Sequence, residues 1–189
     1  MRIVGGRFRG RTLAAPEAEG TRPTSDRVRE AVFNILTHGI EGFALEGAKV
    51  LDLFAGTGAL GLEALSRGAA FCLFVEEGAA ARAVIRRNIE TLGLTGVTKI
   101  FRRDATSLGP AGNRGDATLA FLDPPYGRGL AERALASAAE GGWLADGAVA
   151  VIEERKGSAV ALPAGFAWLD RRQWGDTEVL FARYGGKSA

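Results

Sequence analysis

Val50-Leu51-Asp52-Leu53-Phe54-Ala55-Gly56-Thr57-Gly58-Ala59-Leu60-Gly61 decides how this chain is read. Ala48–Phe54 is short and largely apolar, as suits a strand buried on both faces of a parallel sheet. Gly56, Gly58 and Gly61 follow at G-x-G-x-x-G spacing, and Leu60, Leu62, Ala64 and Leu65 then run as a helix towards Gly68. Strand, glycine turn and helix, in that order, let backbone N–H groups approach a nucleotide-like ligand without a Cβ in the way. At Gly58 in particular, a Cβ is expected to meet that ligand. The spacing is shared with plain tight turns and with nicotinamide sites, so other segments must discriminate.

The segments that follow alternate strand and helix. Phe71–Glu76 reads as a second buried strand with Cys72 in the core, Gly78–Leu92 as a helix closed by Gly93, and Val97–Phe101 as a third strand. Ala117–Leu122 is a fourth strand, Gly129–Glu140 an alanine-rich helix and Ala148–Glu153 a fifth strand. Phe166–Trp174 and Thr177–Tyr184, joined through Gly175-Asp176, read as a closing hairpin. This alternation predicts an α/β, doubly wound, mostly parallel sheet with a C-terminal antiparallel hairpin. Three strand ends then bring acidic residues to one edge: Glu76, Asp104 and Asp123. In such sheets the ligand lies over the carboxyl ends of the strands. Glu76 stands twenty positions after Gly56, the offset at which a carboxylate accepts hydrogen bonds from ribose hydroxyls.

With 189 residues and 47% apolar side chains the chain fits one globular domain, residues 1–189. It has no apolar run near the roughly 18 residues that span a bilayer, and Met-Arg-Ile-Val-Gly-Gly-Arg offers no secretory h-region. One cysteine excludes an internal disulfide and fits the cytoplasm. The overall charge of +2 is uneven. Residues 1–29 hold seven arginines against three acidic residues, a net of +4, so the remainder carries −2. A basic front of this kind points to a polyanionic partner.

Residues 1–20 form the basic extension and 21–189 the core. Within the extension, Ile3-Val4, Gly5-Gly6 and Arg7-Phe8-Arg9 read as a short β-hairpin with arginines on its exposed face. Arg2, Arg7, Arg9 and Arg11 have no acidic neighbour within the first eleven residues and are candidate RNA contacts. Phe8 between two arginines suits either base stacking or docking of the hairpin on the core. Val28, Val32, Ile35 and Leu36 then fall on one helical stripe, with cap candidates at Thr24 to Asp26 and a stop at Gly39. His38, beside that stop, has no second ligand or nucleophile near it in sequence and reads as a helix-end residue.

Asp123-Pro124-Pro125-Tyr126 carries the chemistry. The lone pair of a purine's exocyclic amine is delocalised into the ring, so the amine is a poor nucleophile. Two acceptors aimed at its N–H bonds draw the nitrogen towards tetrahedral geometry and free that pair. The Asp123 carboxylate and the Pro124 carbonyl supply them, and Pro124 keeps Asp123 extended so that both are fixed beforehand. Tyr126 offers a face on which a flipped base can stack. Asp52, a buried-strand carboxylate that a nicotinamide fingerprint does not require, resembles motif I of S-adenosylmethionine (SAM) methyltransferases. Asp-Pro-Pro-Tyr resembles motif IV of the amino-methyltransferases.

Met1–Leu13, Thr21–Leu36, Leu51–Gly68, Asp123–Tyr126 and Trp174–Phe181 together resemble the bacterial 16S rRNA guanine-N2 methyltransferase family. The resemblance implies a Rossmann-like class I SAM-dependent fold and methyl transfer to the N2 amine of one guanine of the small-subunit rRNA. It implies that Thr21, Arg22 and Thr24 close over the methionine end of SAM. Asp52, Gly56, Gly58, Glu76, Asp104 and Asp123 then line the cofactor, Glu76 on the ribose and Asp104 on the adenine amine. No metal is implied. It implies 16S rRNA as partner, within a small-subunit particle; nothing in the sequence demands a dimer, so a cytoplasmic monomer is expected. DNA adenine and protein glutamine methyltransferases use the same acceptor geometry, usually with Asn at the position of Asp123. A nicotinamide oxidoreductase lacks a reason for Asp52, and a catalytically silent RNA-binding module lacks one for Asp123–Tyr126.

Overall fold

A computed structural model describes residues 1–15 and 25–185. Its strands are β1 (Lys49–Leu53), β2 (Phe71–Val75), β3 (Thr98–Phe101), β4 (Ala117–Leu122), β5 (Leu144–Arg155), β6 (Phe166–Trp174) and β7 (Thr177–Tyr184). They form one sheet in the order β3-β2-β1-β4-β5-β7-β6. The first five are parallel, and β7 enters antiparallel between β5 and β6. This is a Rossmann-like sheet extended by the expected closing hairpin.

The two-residue strand period divides each strand between two cores. Val50, Phe74, Leu119, Phe121, Val151 and Phe181 face one side. Leu51, Leu53, Val75, Ala120, Ile152 and Leu180 face the other. On the first side lie α1 (Asp26–His38), α2 (Ala59–Ser66) and α3 (Ala79–Leu92), and on the second α4 (Leu130–Glu140). Ser25 Oγ caps α1 by accepting from the Val28 amide at 3.2 Å, and Gly39 ends it. Ala131, Ala134 and Ala138, all buried, let α4 lie close to the sheet.

β5 begins four residues before the expected Ala148. Asp146 and Gly147 are absorbed where the β4–β5 register shifts between Ala117 and Leu119. The N-terminal arm folds back on itself as expected, but with a single antiparallel bridge, Arg2 to Thr12, and a 3-10 turn over Gly6–Phe8. Phe8 is half-buried against the first core, so its ring docks the arm on the core. The arm is also fastened by polar groups. Glu63 of α2 accepts the Val4 and Gly5 amides at 2.9 and 2.8 Å and the Arg67 Nε at 2.8 Å. Buried Arg29 of α1 donates to the Arg2 carbonyl at 2.6 Å and to Asp26 at 2.7 Å. Among the described residues, no helix is long and apolar enough to cross a membrane.

Candidate active site

Leu53 is level with Val75 on one side and with Leu122 on the other, and Val75 with Phe101. The next residues along, Phe54, Glu76 and Asp123, therefore stand side by side on the carboxyl edge of the sheet, with Asp104 just beyond β3. The edge foreseen from the strand pattern is the edge that forms. Thr21, Arg22 and Thr24 lie outside the described residues.

Glu76 is locked in place: its Oε2 accepts the Gly56 amide at 2.9 Å and its Oε1 the Gly78 amide at 2.8 Å. Each oxygen retains a lone pair for a ligand hydroxyl. Gly56, at φ 57°, faces open space, since a Cβ there would meet only the Phe54 carbonyl at 3.9 Å. Gly58 corrects the expectation placed on it. Its Cβ would point inward, 3.2 Å from Phe74 and 3.4 Å from Ile85, so at φ 78° it shapes the turn and packs it. Gly61 likewise lets α2 approach the sheet, a Cβ there falling 2.5 Å from Cys72 and Phe74. Of the three glycines, only Gly56 has open space where a Cβ would stand.

Asp52 is 2% exposed and lies beneath the turn, where it accepts the Gly61 amide at 3.0 Å. Burial pushes its carboxyl up to about 8, against the pull of that amide and with a further push from Glu76. Asp104 Oδ1 accepts the Thr106 hydroxyl at 2.7 Å and amide at 2.8 Å, which hold its carboxyl below the usual range. Its Oδ2 has no hydrogen-bond partner among the described residues. Phe54 adopts φ 58°, the left-handed region, and no other non-glycine described residue does. Backbone strain of that kind concentrates where a site dictates the turn. Nothing in the sequence signals it.

Asp123, half-buried, sits at an acidic corner. Its carboxyl is pushed well above the ordinary range by burial, then by Glu153, Asp52 and Glu154. Pro124 beside it is buried, and its carbonyl accepts no hydrogen bond among the described residues. Tyr126 donates its hydroxyl to Glu153 Oε1 at 2.8 Å, and burial, with that carboxylate's charge, raises the phenol's pKa. Glu154 Oε2 accepts the Gly127 amide at 3.3 Å, the Arg155 amide at 3.1 Å and the Ser158 hydroxyl at 3.0 Å. Glu153 and Glu154 thus grip the Asp123–Gly127 loop from β5. They were not singled out from the sequence, although two acidic residues ending a buried strand on the same edge as Asp123 were a usable signal.

Arg2, expected to be unpaired, forms an ion pair with Asp26 at 2.8 Å. Arg7 stacks over Phe8 at 4.7 Å, Arg9 is exposed, and Arg11 Nη2 donates to the Thr91 carbonyl at 3.4 Å.

The crevice fits SAM on three observations: open space over the Gly56 backbone, an anchored Glu76 beside it, and an acidic corner that suits a cation. Sheet order and crevice define a class I SAM-dependent methyltransferase. Residues 1–183 match the family model described as Conserved hypothetical protein 95. The chain is 40% identical to ribosomal RNA small subunit methyltransferase D of Escherichia coli K12 over 169 residues, 88% of this chain and 81% of the relative. It is 34% identical to the Haemophilus influenzae protein of the same name over 177 residues, 93% of this chain and 89% of the relative. The solved structure of the Escherichia coli yhhF protein superposes with TM-score 0.83 at 33% identity, covering 99% of each chain. The chain belongs to the ribosomal RNA small subunit methyltransferase D family.

Proposed function

We propose that this enzyme methylates the exocyclic N2 amine of a guanine in 16S rRNA, acting in the cytoplasm as a monomer on a small-subunit particle. The observation that carries the reading is the Asp123–Tyr126 loop beside Glu76 and Gly56 on one sheet edge. Gly56, Glu76 and Asp104 would hold the cofactor's ribose and adenine, with Asp52 supporting the turn from below. When bound, the cofactor supplies an electrophilic methyl on a sulfonium. The chain's own part is to prepare the amine. Asp123 and the Pro124 carbonyl accept its two N–H bonds, so the nitrogen lone pair is released from the ring. Tyr126, its hydroxyl tied to Glu153, presents its ring face to the base. The push on Asp123 also acts in the site's favour: a cation in the crevice lowers its pKa and returns it to the accepting, ionised state.

The test is transfer of tritiated methyl from SAM to rRNA from cells lacking the enzyme, followed by nucleoside analysis. N2-methylguanosine is expected. Label on adenine N6 or on protein glutamine, with none on guanine, overturns the reading.

A further inference from the structure

The arm does not stand alone. Asn88, buried in α3, accepts the Ala14 amide at 2.7 Å and donates to the Ala14 carbonyl at 3.1 Å. With the Arg11–Thr91 contact, this lays the returning limb of the arm along the C-terminal half of α3. Arg87 stands one helical turn before Thr91, on the side that Arg11 touches, and Arg86 lies about 100° further round the exposed side of the helix. Arg7, Arg9, Arg11, Arg86 and Arg87 are all exposed. None has an acidic partner within ion-pair distance among the described residues. Glu90, three residues past Arg87 and four past Arg86, pairs with neither. Arg82, nearer the crevice, is folded back onto the Glu76 and Glu77 carbonyls.

We propose that the arm and α3 form one phosphate-binding face, made by Arg7, Arg9, Arg11, Arg86 and Arg87, that grips RNA backbone flanking the target nucleotide. This rests on RNA being the substrate. Gathering like charges on one face costs free energy that a polyanion returns. The five guanidinium groups have no exposed large apolar side chain among them, because Phe8 is half-buried. Protein docking needs an apolar centre, so the composition favours phosphates. Asn88 Nδ2 also donates to the Thr57 carbonyl at 3.1 Å, so Arg87 and Thr91 lie within one helical turn of a residue that touches the glycine turn. The tip of the arm is pinned to the C-terminal end of α2, with the Phe8 amide on Ser66 Oγ at 3.0 Å and that hydroxyl on the Gly5 carbonyl at 2.6 Å. The face therefore borders the crevice, where it can hold backbone next to the guanine that enters the site.

The experiment is binding of an rRNA fragment across a salt series by wild type and Arg86→Ala/Arg87→Ala, with SAM affinity and methyl transfer measured on the same samples. Loss of two phosphate contacts should flatten the salt slope by about 1.5 units. SAM affinity should be unchanged, and Arg86→Lys/Arg87→Lys should keep the slope. An unchanged slope and affinity in the alanine variant overturns the face, and is also what an acidic protein partner would give. Wild-type methyl transfer without a slope change overturns the face alone. Absent transfer overturns the substrate reading, while the slope still reports on the face.

Discussion

Glu63 in α2 and Asp123 after β4 are carboxylates of one chain satisfied in opposite ways. Glu63, fully buried, accepts two backbone amides and Arg67, with the Arg29 Nε at 3.7 Å. Asp123 is surrounded by Glu153, Asp52 and Glu154, which push its proton affinity up together with burial. The first arrangement is complete without a ligand. The second is electrostatically unfavourable until a cation arrives, and a protein tolerates such a cost where it serves chemistry. Paired buried charge here marks architecture, and crowded buried charge marks the site.

Three measurements break or sharpen that contrast. The largest effect is expected at Glu63. Glu63→Ala leaves two amides and Arg67 without their acceptor and removes a counter-charge from beside buried Arg29, so chemical denaturation should show a loss of about 3–5 kcal/mol. A loss under about 1 kcal/mol would make the network ornamental. Asp123→Ala should leave the fold and SAM affinity near normal and cut the transfer rate by about 10²–10³. Asp123→Asn should fall between, because an amide oxygen still accepts. Equal rates in wild type and the alanine variant remove Asp123 from the mechanism. Taken per pH unit, the smallest effect is a slope. Asp52 is raised from 3.8 to about 8 in the folded state, so it favours folding most below 3.8 and loses that contribution as pH climbs to about 8. Unfolding free energy should carry a decline of up to about 1.4 kcal/mol per pH unit in that window, which Asp52→Asn should remove. Identical pH profiles for the two proteins would show that Asp52 keeps an ordinary proton affinity.

What the sequence made legible was whatever repeats or aligns locally. β4, β6 and β7 fall on the bounds their apolar runs predict, and three acidic strand ends announce the edge. Two kinds of feature stayed hidden. Arg2 meets Asp26 from 24 residues away, a pairing no local pattern encodes. The outward or inward sense of Gly56, Gly58 and Gly61 depends on Phe74, Ile85 and Cys72 behind them. Asn88 is intermediate between these and the legible class: a polar residue at an inward position between Ile85 and Ile89, which ties Ala14 to the Thr57 carbonyl at 3.1 Å. Its polarity on the buried stripe was the readable sign of a fixed partner.

The insertion of β7 between β5 and β6 has a consequence for how the chain is made. Synthesis delivers residues from the amino end at about 5–20 per second. Strands β1 to β5 can align as soon as they emerge, but β6 pairs only with β7 and so waits for it. Until Tyr184 has appeared, the nascent sheet ends at β5 with open backbone groups along Val149–Arg155, an edge able to recruit foreign strands. The final eight-residue strand closes that edge, so a chain truncated before Thr177 keeps every strand of the crevice and loses its protection against aggregation.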